Sequence, residues 1–392
     1  MHGQLYNYFN DNNFIAEQQY GFRKNHSTEL AALKLSDHNI SEMDRGNIPI
    51  AIFLDLSKAF DTLNHDILLK KLRFYGVKDS AHKLIDHYLK DRQQYVKIGN
   101  CQSNLIPIST GIPQGSILGP LFFSIYINDL PTACDSFKFI MYADDTTLYA
   151  NIENFDQNDI DKEISQELEQ INNWLAANKL SLNVKKSKFM LFHKLKQVPT
   201  ISIQINNVTI DRVSHFNYLG ITFDEHLSWE NHIDMILIKI SKIIGIINRL
   251  KFVFPQRILF TLYNSLLLPH FFYGILLWGY CADRVVKLQK RAIRTISFSK
   301  PLDHTEPLFK TLNLLKLEDI YVIRIYKFYH KLANNNLPSY FEEYKILTEP
   351  ITRRHSTRCT ILETYRVKNV SHLDHEILPK ISTDKPVKYG QK

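Results

Sequence analysis

At 392 residues, with 44% hydrophobic and 12% aromatic side chains, the chain is too apolar for a disordered polypeptide and long enough for two or three packed units. Its four cysteines, Cys101, Cys134, Cys281 and Cys359, lie far apart with no CxxC and no paired histidine spacing, which argues for a reducing compartment and against a zinc module. The net charge of +8 is uneven: residues 1–184 carry 16 Lys and Arg against 23 Asp and Glu, and residues 185–392 carry 32 against 17, a basic half suited to a polyanion or to an ordinary solvated face.

In chain order, residues 26–45 read as a helix capped by Ser27 or Thr28, with Leu30, Leu33 and Ile40 forming its apolar stripe. Residues 48–56 are an apolar run of strand length with Pro49 at its start. Helices are expected at 65–75 and 80–89, short strands at 94–98 and 105–109, and a helix at 121–130 after the Gly/Pro-rich stretch 111–120. Residues 137–149 read as a hairpin turning at 143–145. An amphipathic helix over 159–178 carries Ile160, Ile164, Leu168, Ile171 and Trp174 or Leu175 at helical spacing. Strands follow at 180–184, 188–192 and 201–210, the last broken by a turn at Asn206-Asn207. Beyond Trp229 the pattern becomes long Ile/Leu/Lys-rich helices to about 335, and from Pro350 the tail is polar and basic. No secretory signal opens the chain, and residues 266–280, interrupted by Pro269, His270 and Gly274, fall short of the ~20 residues of a membrane span. The fold class is therefore α+β, with an all-helical region behind it.

The chemistry concentrates in carboxylates at strand ends. Asp144 and Asp145 are adjacent at the tip of an apolar hairpin, with no cation in sequence reach, and Asp55 closes another apolar run. Adjacent carboxylates repel unless a cation lies between them. Asp55, Asp144 and Asp145 form the ligand set for two Mg²⁺ ions, with Mn²⁺ a possible substitute, and two-metal phosphoryl transfer draws such ligands from separate segments. Taken singly, each segment has an ordinary alternative: a turn or helix cap for Asp55, a chance pair for Asp-Asp.

Order and context decide between these readings. GFRKNHST at 21–28, FLDLSKAFD at 53–61, GIPQGSILGPLFF at 111–123, YADD at 142–145, LNVKKSKFMLF at 182–192 and FNYLGI at 216–221 occur in that order. Together they resemble the reverse transcriptases of non-LTR retrotransposons, most closely the jockey-like group. The resemblance is motif by motif over residues 1–225 and looser through HLSWENHI at 226–233 and LQKRAIRTI at 288–296.

The resemblance implies a right-hand polymerase: partial fingers and palm over 1–225, a helical thumb-like domain over 226–335 and an incomplete basic tail over 336–392. Asp55 and Asp144 become metal ligands, joined by the Leu56 backbone carbonyl and by Asp145 in a secondary role. Lys186 matches the lysine that protonates or neutralises pyrophosphate, although Lys185 and Lys188 stand close. Phe60 matches the steric gate that rejects a ribose 2′-hydroxyl, and Gln114 and Gly115 the loop that approaches the nucleotide. Arg23 would lie near template or triphosphate. Tyr142 matches a residue close to the primer end, and Tyr218, Leu219 and Gly220 match the primer-grip hairpin. Lys287, Lys290, Arg291 and Arg294 fall at helical spacings of three and four, a stripe able to track a phosphate backbone. Each also has a plainer reading, as core aromatic, tight turn or solvated cation.

The implied activity is RNA-directed DNA polymerisation, with an RNA template, a DNA primer, dNTPs and Mg²⁺, and the implied compartment is the nucleus. The family's upstream endonuclease and first fingers block are not found in the sequence, so the expectation is a polymerase clipped at both ends. A catalytically inactive nucleic-acid-binding relic is the alternative. An RNA-dependent RNA polymerase is disfavoured by Phe60.

Overall fold

Pro49–Leu54 (β1) is buried at all six positions and forms the middle of a five-stranded sheet. The computed structural model describes residues 1–90, 92–113, 115–156, 159–194 and 198–345; Gln114 and most of the expected basic tail lie outside them. The other strands are β2 (Lys138–Tyr142), β3 (Asp145–Asn151), β4 (Lys188–Leu191) and β5 (Asp211–Arg212), in the spatial order β5-β4-β1-β3-β2. All neighbours are antiparallel except β5, which runs parallel to β4.

Side chains of a strand alternate between faces, and here both faces are covered. On one face Ala51, Phe53, Ile140, Tyr149 and Met190 join a core built with α2 (Thr28–Asp44) and the C-terminal helices. On the other, Ile50, Ile52, Leu54, Leu148 and Phe189 pack with α1 (His2–Asp11), α3 (His65–Phe74), α4 (Gly119–Tyr126) and α5 (Ile160–Ala177). Double coverage explains why β1 is apolar without alternation. Pro49 sits at the strand start, where its missing N–H costs no ladder bond.

The helix starts follow side-chain capping. Ser27 Oγ accepts from Leu30 N–H at 3.2 Å and opens α2, and Asn64 Oδ1 accepts from Ile67 N–H at 3.0 Å and opens α3. The stripe expected on α5 is buried at Ile164, Leu168, Ile171 and Leu175. Behind a hairpin of β6 (His215–Tyr218) and β7 (Ile221–Asp224), the chain becomes helical, with α6 (Glu230–Leu250), α7 (Asp283–Ile296) and α8 (Leu317–Ala333) as its long members. Helix α8 returns to α2 through an Arg324–Glu29 ion pair. Among the described residues no single helix is long and apolar enough to cross a membrane; the bent pair Gln256–Phe272 and Ile275–Cys281 reaches that length together, and Leu267, Phe271, Ile275 and Trp278 within it are buried in the helical core.

Several expected elements differ. Residues 180–184 form no strand: Leu182 makes one isolated bridge to Leu56, because the segment bonds to the loop after β1 and does not extend the sheet. The helix expected over 121–130 ends at Tyr126, and Pro131 lies in a separate 3₁₀ turn over Leu130–Thr132. The strands at 94–98 and 105–109 reduce to two-residue pairings, Gln93–Gln94 with Ile106–Pro107 and Lys97–Ile98 with Cys101–Gln102. Likewise 201–210 keeps only Gln204–Ile205 and Val208–Thr209, around Asn206 and Asn207 at φ 51° and 58°. Helix α1 had no counterpart in the sequence reading.

Candidate active site

Asp55 follows the last residue of β1, and Asp145 opens β3. The pairing of β1 with β3 runs from Pro49↔Asn151 to Leu54↔Thr146; one further step along this register sets Asp55 opposite Asp145. Asp144 occupies the turn between β2 and β3, after Ala143 at φ 56°, a conformation uncommon for a residue with a Cβ. Crowding by protein atoms, then the charges of Asp144 and Asp55, raise the Asp145 carboxyl above its ordinary value, although the residue as a whole is solvent-exposed.

The GFR segment builds this turn. Residues 18–20 run parallel beside β2: Met141 N–H donates to the Gln18 carbonyl at 2.8 Å and Tyr20 N–H to the Met141 carbonyl at 2.7 Å. Gln19 is wholly buried, and its Oε1 accepts from Gly21 N–H at 2.7 Å and Ala143 N–H at 3.2 Å. A Cβ on Gly21 would stand 2.5 Å from Ala143 N, so only glycine allows this approach. Arg23 donates Nη1 to the Ala16 carbonyl at 2.9 Å and the Gln19 carbonyl at 3.4 Å. Its half-buried guanidinium ties the loop that carries Gln19. Sequence reasoning missed Gln19; the sole hint was its place just before the GFR motif.

The LNVKKSK segment fixes Asp55. Asn183 N–H donates to the Asp55 carbonyl at 2.8 Å and Ser57 N–H to the Ser181 carbonyl at 2.8 Å, a pattern that leaves the Leu56 carbonyl out of the bridge. Asp55 N–H donates to Oγ of the buried Ser187 at 3.3 Å. Lys185, Lys186 and Lys188 all line the cleft beside Asp55, and the geometry separates the last two. Lys186 Nζ lies 3.7 Å from Asp55 Oδ2, whereas Lys188 is paired with Asp211 at 2.7 Å and also donates to the Lys185 carbonyl.

Asp55, Asp145, Lys186, Tyr218 and Leu219 line one open cleft of about 510 Å³. The β6–β7 hairpin forms its wall, with Phe216 stacked on Phe53 at 4.2 Å. Its turn, Leu219-Gly220, has φ 48° and 80°, as two-residue hairpin turns require. Tyr273, from the helical region, donates its hydroxyl to the Leu219 carbonyl, and its ring lies 3.2 Å from where a Cβ of Gly220 would be. Burial and then Tyr273 raise the phenol of the half-buried Tyr142, and burial foremost raises that of Tyr218.

Phe60 lies outside that cleft lining. Its half-buried ring stacks on Phe123 at 4.4 Å, and its carbonyl accepts from Ile112 N–H at 3.0 Å, so the GIP loop holds the backbone that presents it. Gly115 is exposed, with φ 79° and open space around its Cα. On α7, Lys287 and Arg291 are exposed and Lys290 is half-buried, opposite the buried Val285, Gln289, Ala292 and Ile293. Arg294 departs from the stripe by donating Nε to the Asp303 carbonyl at 2.8 Å.

Asp55, Asp145 and Lys186 lining an open cleft at the end of the sheet, with Asp144 in the adjoining turn, have the donor chemistry of divalent-cation-assisted phosphoryl transfer. Over residues 1–223 the sequence matches the reverse transcriptase (RNA-dependent DNA polymerase) family, and the chain belongs to that family. It is 29% identical over 327 residues to the probable RNA-directed DNA polymerase from transposon BS of Drosophila melanogaster, covering 78% of this chain and 35% of that protein. It is 26% identical over 324 residues to the RNA-directed DNA polymerase from mobile element jockey of the same species, covering 78% and 34%. The chain thus spans about a third of the length of these curated relatives. Among solved structures, apo telomerase from Candida tropicalis aligns over 82% of this chain and 54% of that one, with a TM-score of 0.44 and 12% identity, too distant to add to the argument.

Proposed function

We propose that this chain extends a DNA primer on an RNA template, transferring nucleotides from dNTPs to the primer 3′-hydroxyl. The observation that carries the reading is the meeting of Asp55 and Asp145 in one cleft, one register step beyond Leu54↔Thr146, with Asp144 in the adjoining β2–β3 turn, inside a chain of the reverse transcriptase family. The donor set fits Mg²⁺: all-oxygen, anionic and from two segments, with the Asp145 carboxyl raised first by desolvation and then by the charges of Asp144 and Asp55, charges that a cation offsets. Asp55, Asp144, Asp145 and the Leu56 carbonyl would hold two such ions, which supply activation of the primer hydroxyl and neutralisation of the leaving pyrophosphate.

The protein's own residues do the rest. Lys186 Nζ, exposed at the cleft beside Asp55, neutralises or protonates the departing pyrophosphate. The Tyr218–Gly220 hairpin, with Tyr142, seats the primer end. Phe60 excludes the ribose 2′-hydroxyl, and the loop of Gly115 approaches the base pair. Lys287, Lys290 and Arg291 meet the phosphate backbone of the duplex. In this reading residues 1–225 are fingers and palm and 226–335 the thumb, and a chromosomal primer places the reaction in the nucleus.

Primer extension on poly(rA)/oligo(dT) with Mg²⁺ tests the proposal. Incorporation of dTTP by the wild type and its loss in Asp144→Asn are expected. Undiminished synthesis by Asp144→Asn would sink the metal-site assignment, and failure of the wild type to extend would sink the activity.

A further inference from the structure

We propose that His193, Glu225 and His226 form a second metal site, for a transition-metal dication of the zinc class, remote from the carboxylates. The ligating atoms of the three side chains lie within 4.8 Å of one another. His193 Nε2 is 3.4 Å from Glu225 Oε2, and the two imidazoles meet edge-on with centroids 4.8 Å apart. Two imidazoles and one carboxylate match Zn²⁺ and suit Mg²⁺ poorly, since the latter takes oxygen ligands.

The frame is organised by the protein alone. Asp224 is buried, and its carboxylate accepts from the N–H groups of His226 at 3.1 Å, Ser228 at 3.0 Å and Trp229 at 2.9 Å, fixing the loop after β7. His193 N–H donates to the Glu225 carbonyl at 3.0 Å, joining the two ligand-bearing segments. His226 Nδ1 stands 2.9 Å from the His193 carbonyl. A carbonyl only accepts, so in the neutral ring Nδ1 carries the proton and Nε2 carries the lone pair a metal needs. Arg212 reaches Glu225 Oε2 at 3.3 Å and steadies the carboxylate from outside, as partners of metal-ligating carboxylates do.

The location gives the site a purpose. His193 lies just past β4, next to Phe192, whose N–H bonds to Pro49 at the start of β1. This is the end of the sheet opposite Asp55. Glu225 and His226 begin the short loop from β7 to α6, so a bound ion clips the sheet to the segment that leads into the first long helix. Cysteine spacing argued against a zinc module, but ligands 32 residues apart have no motif spacing to betray them.

The test is a Zn²⁺ titration of the full chain against a chromophoric chelator, with Mg²⁺ in excess to satisfy the carboxylates. One Zn²⁺ per chain is expected for the wild type and for Asp144→Asn, with affinity at least about tenfold weaker in His226→Ala and Glu225→Gln. His226 is exposed, so its replacement leaves the fold intact, and circular dichroism checks this. Co²⁺ substitution should give a visible absorption that His226→Ala loses. Wild-type affinity in both His226→Ala and Glu225→Gln, or no binding by the wild type, would overturn the site.

Discussion

Lys186 Nζ stands 3.7 Å from Asp55 Oδ2, across a gap of 131 residues in sequence, and both side chains face the open cleft. Because both are exposed, the pair contributes little to stability, about 0–1 kcal/mol, so the proposed role of Lys186 in the chemistry can be tested apart from folding. Lys186→Ala should leave Tm nearly unchanged and lower kcat for single-nucleotide incorporation by about 10²-fold with a smaller change in KM. Lys188→Ala, which breaks the pair with Asp211, should spare kcat. Rapid-quench measurement of both variants checks the assignment; equal losses would remove the distinction.

The raised Asp145 carboxyl predicts a metal-dependent stability. A carboxyl harder to ionise in the folded than in the unfolded state favours folding below the ordinary carboxylate range and loses that advantage as pH rises through the raised value. Above that raised value, ionised Asp145 therefore destabilises the metal-free protein. Asp145→Asn should raise the metal-free Tm, and Mg²⁺ should stabilise the wild type more than the variant. Calorimetry with and without Mg²⁺ reads both effects; a lower Tm for the metal-free variant would contradict the repulsion.

Gln19 is expected to act on catalysis without touching substrate. Gln19→Leu leaves the buried N–H groups of Gly21 and Ala143 without their acceptor, a cost of about 1–3 kcal/mol. The turn carrying Asp144 then loses its support, so incorporation should fall more than folded fraction does. Gly21→Ala should be worse, since its Cβ would meet Ala143 N at 2.5 Å. Denaturant titration paired with kcat of the folded fraction separates the two effects; a stability loss with unchanged kcat would confine Gln19 to a structural role.

Phe60→Val probes sugar selection. Loss of the ring from its stack on Phe123 should cost about 1–3 kcal/mol, while ribonucleotide incorporation rises relative to dNTP. Competition between rNTP and dNTP at a single template position is the measurement, and an unchanged ratio would reject the gate.

Gly220→Ala tests the hairpin. Its φ of 80° disfavours any Cβ, and the added methyl would press on the Tyr273 ring at 3.2 Å. A stability loss of about 1 kcal/mol and shorter extension products are expected, whereas Tyr273→Phe should shorten products with little steric cost. Product length on a long template reads the seating of the primer; full-length products from both variants would detach the hairpin from that role.

Much of the fold was legible because it is local. The run PIAIFL fitted a buried strand by its length and its opening proline, the Asn206-Asn207 turn announced itself, and Ile164, Leu168, Ile171 and Leu175 kept helical period in α5. Residues 180–184 misled because a strand-like composition there serves a single bridge to Leu56. The structural task of Arg23, tying the Gln19 loop through the Ala16 and Gln19 carbonyls, was not legible because its acceptors are backbone groups that no motif marks.

The sequence by itself determined the family, the strand ends that carry Asp55, Asp144 and Asp145, and the apolar and turn patterning that marks the main strands and helices. These follow from residue order and short-range periodicity. Only the tertiary structure decided that Asp55 faces Asp145, that Lys186 and not Lys188 stands beside Asp55, that Gln19 holds a turn 124 residues away, and that His193 meets Glu225 and His226. The reason is physical. Register, burial and the meeting of distant loops arise from packing of the whole chain, and no local spacing encodes which polar groups that packing brings together.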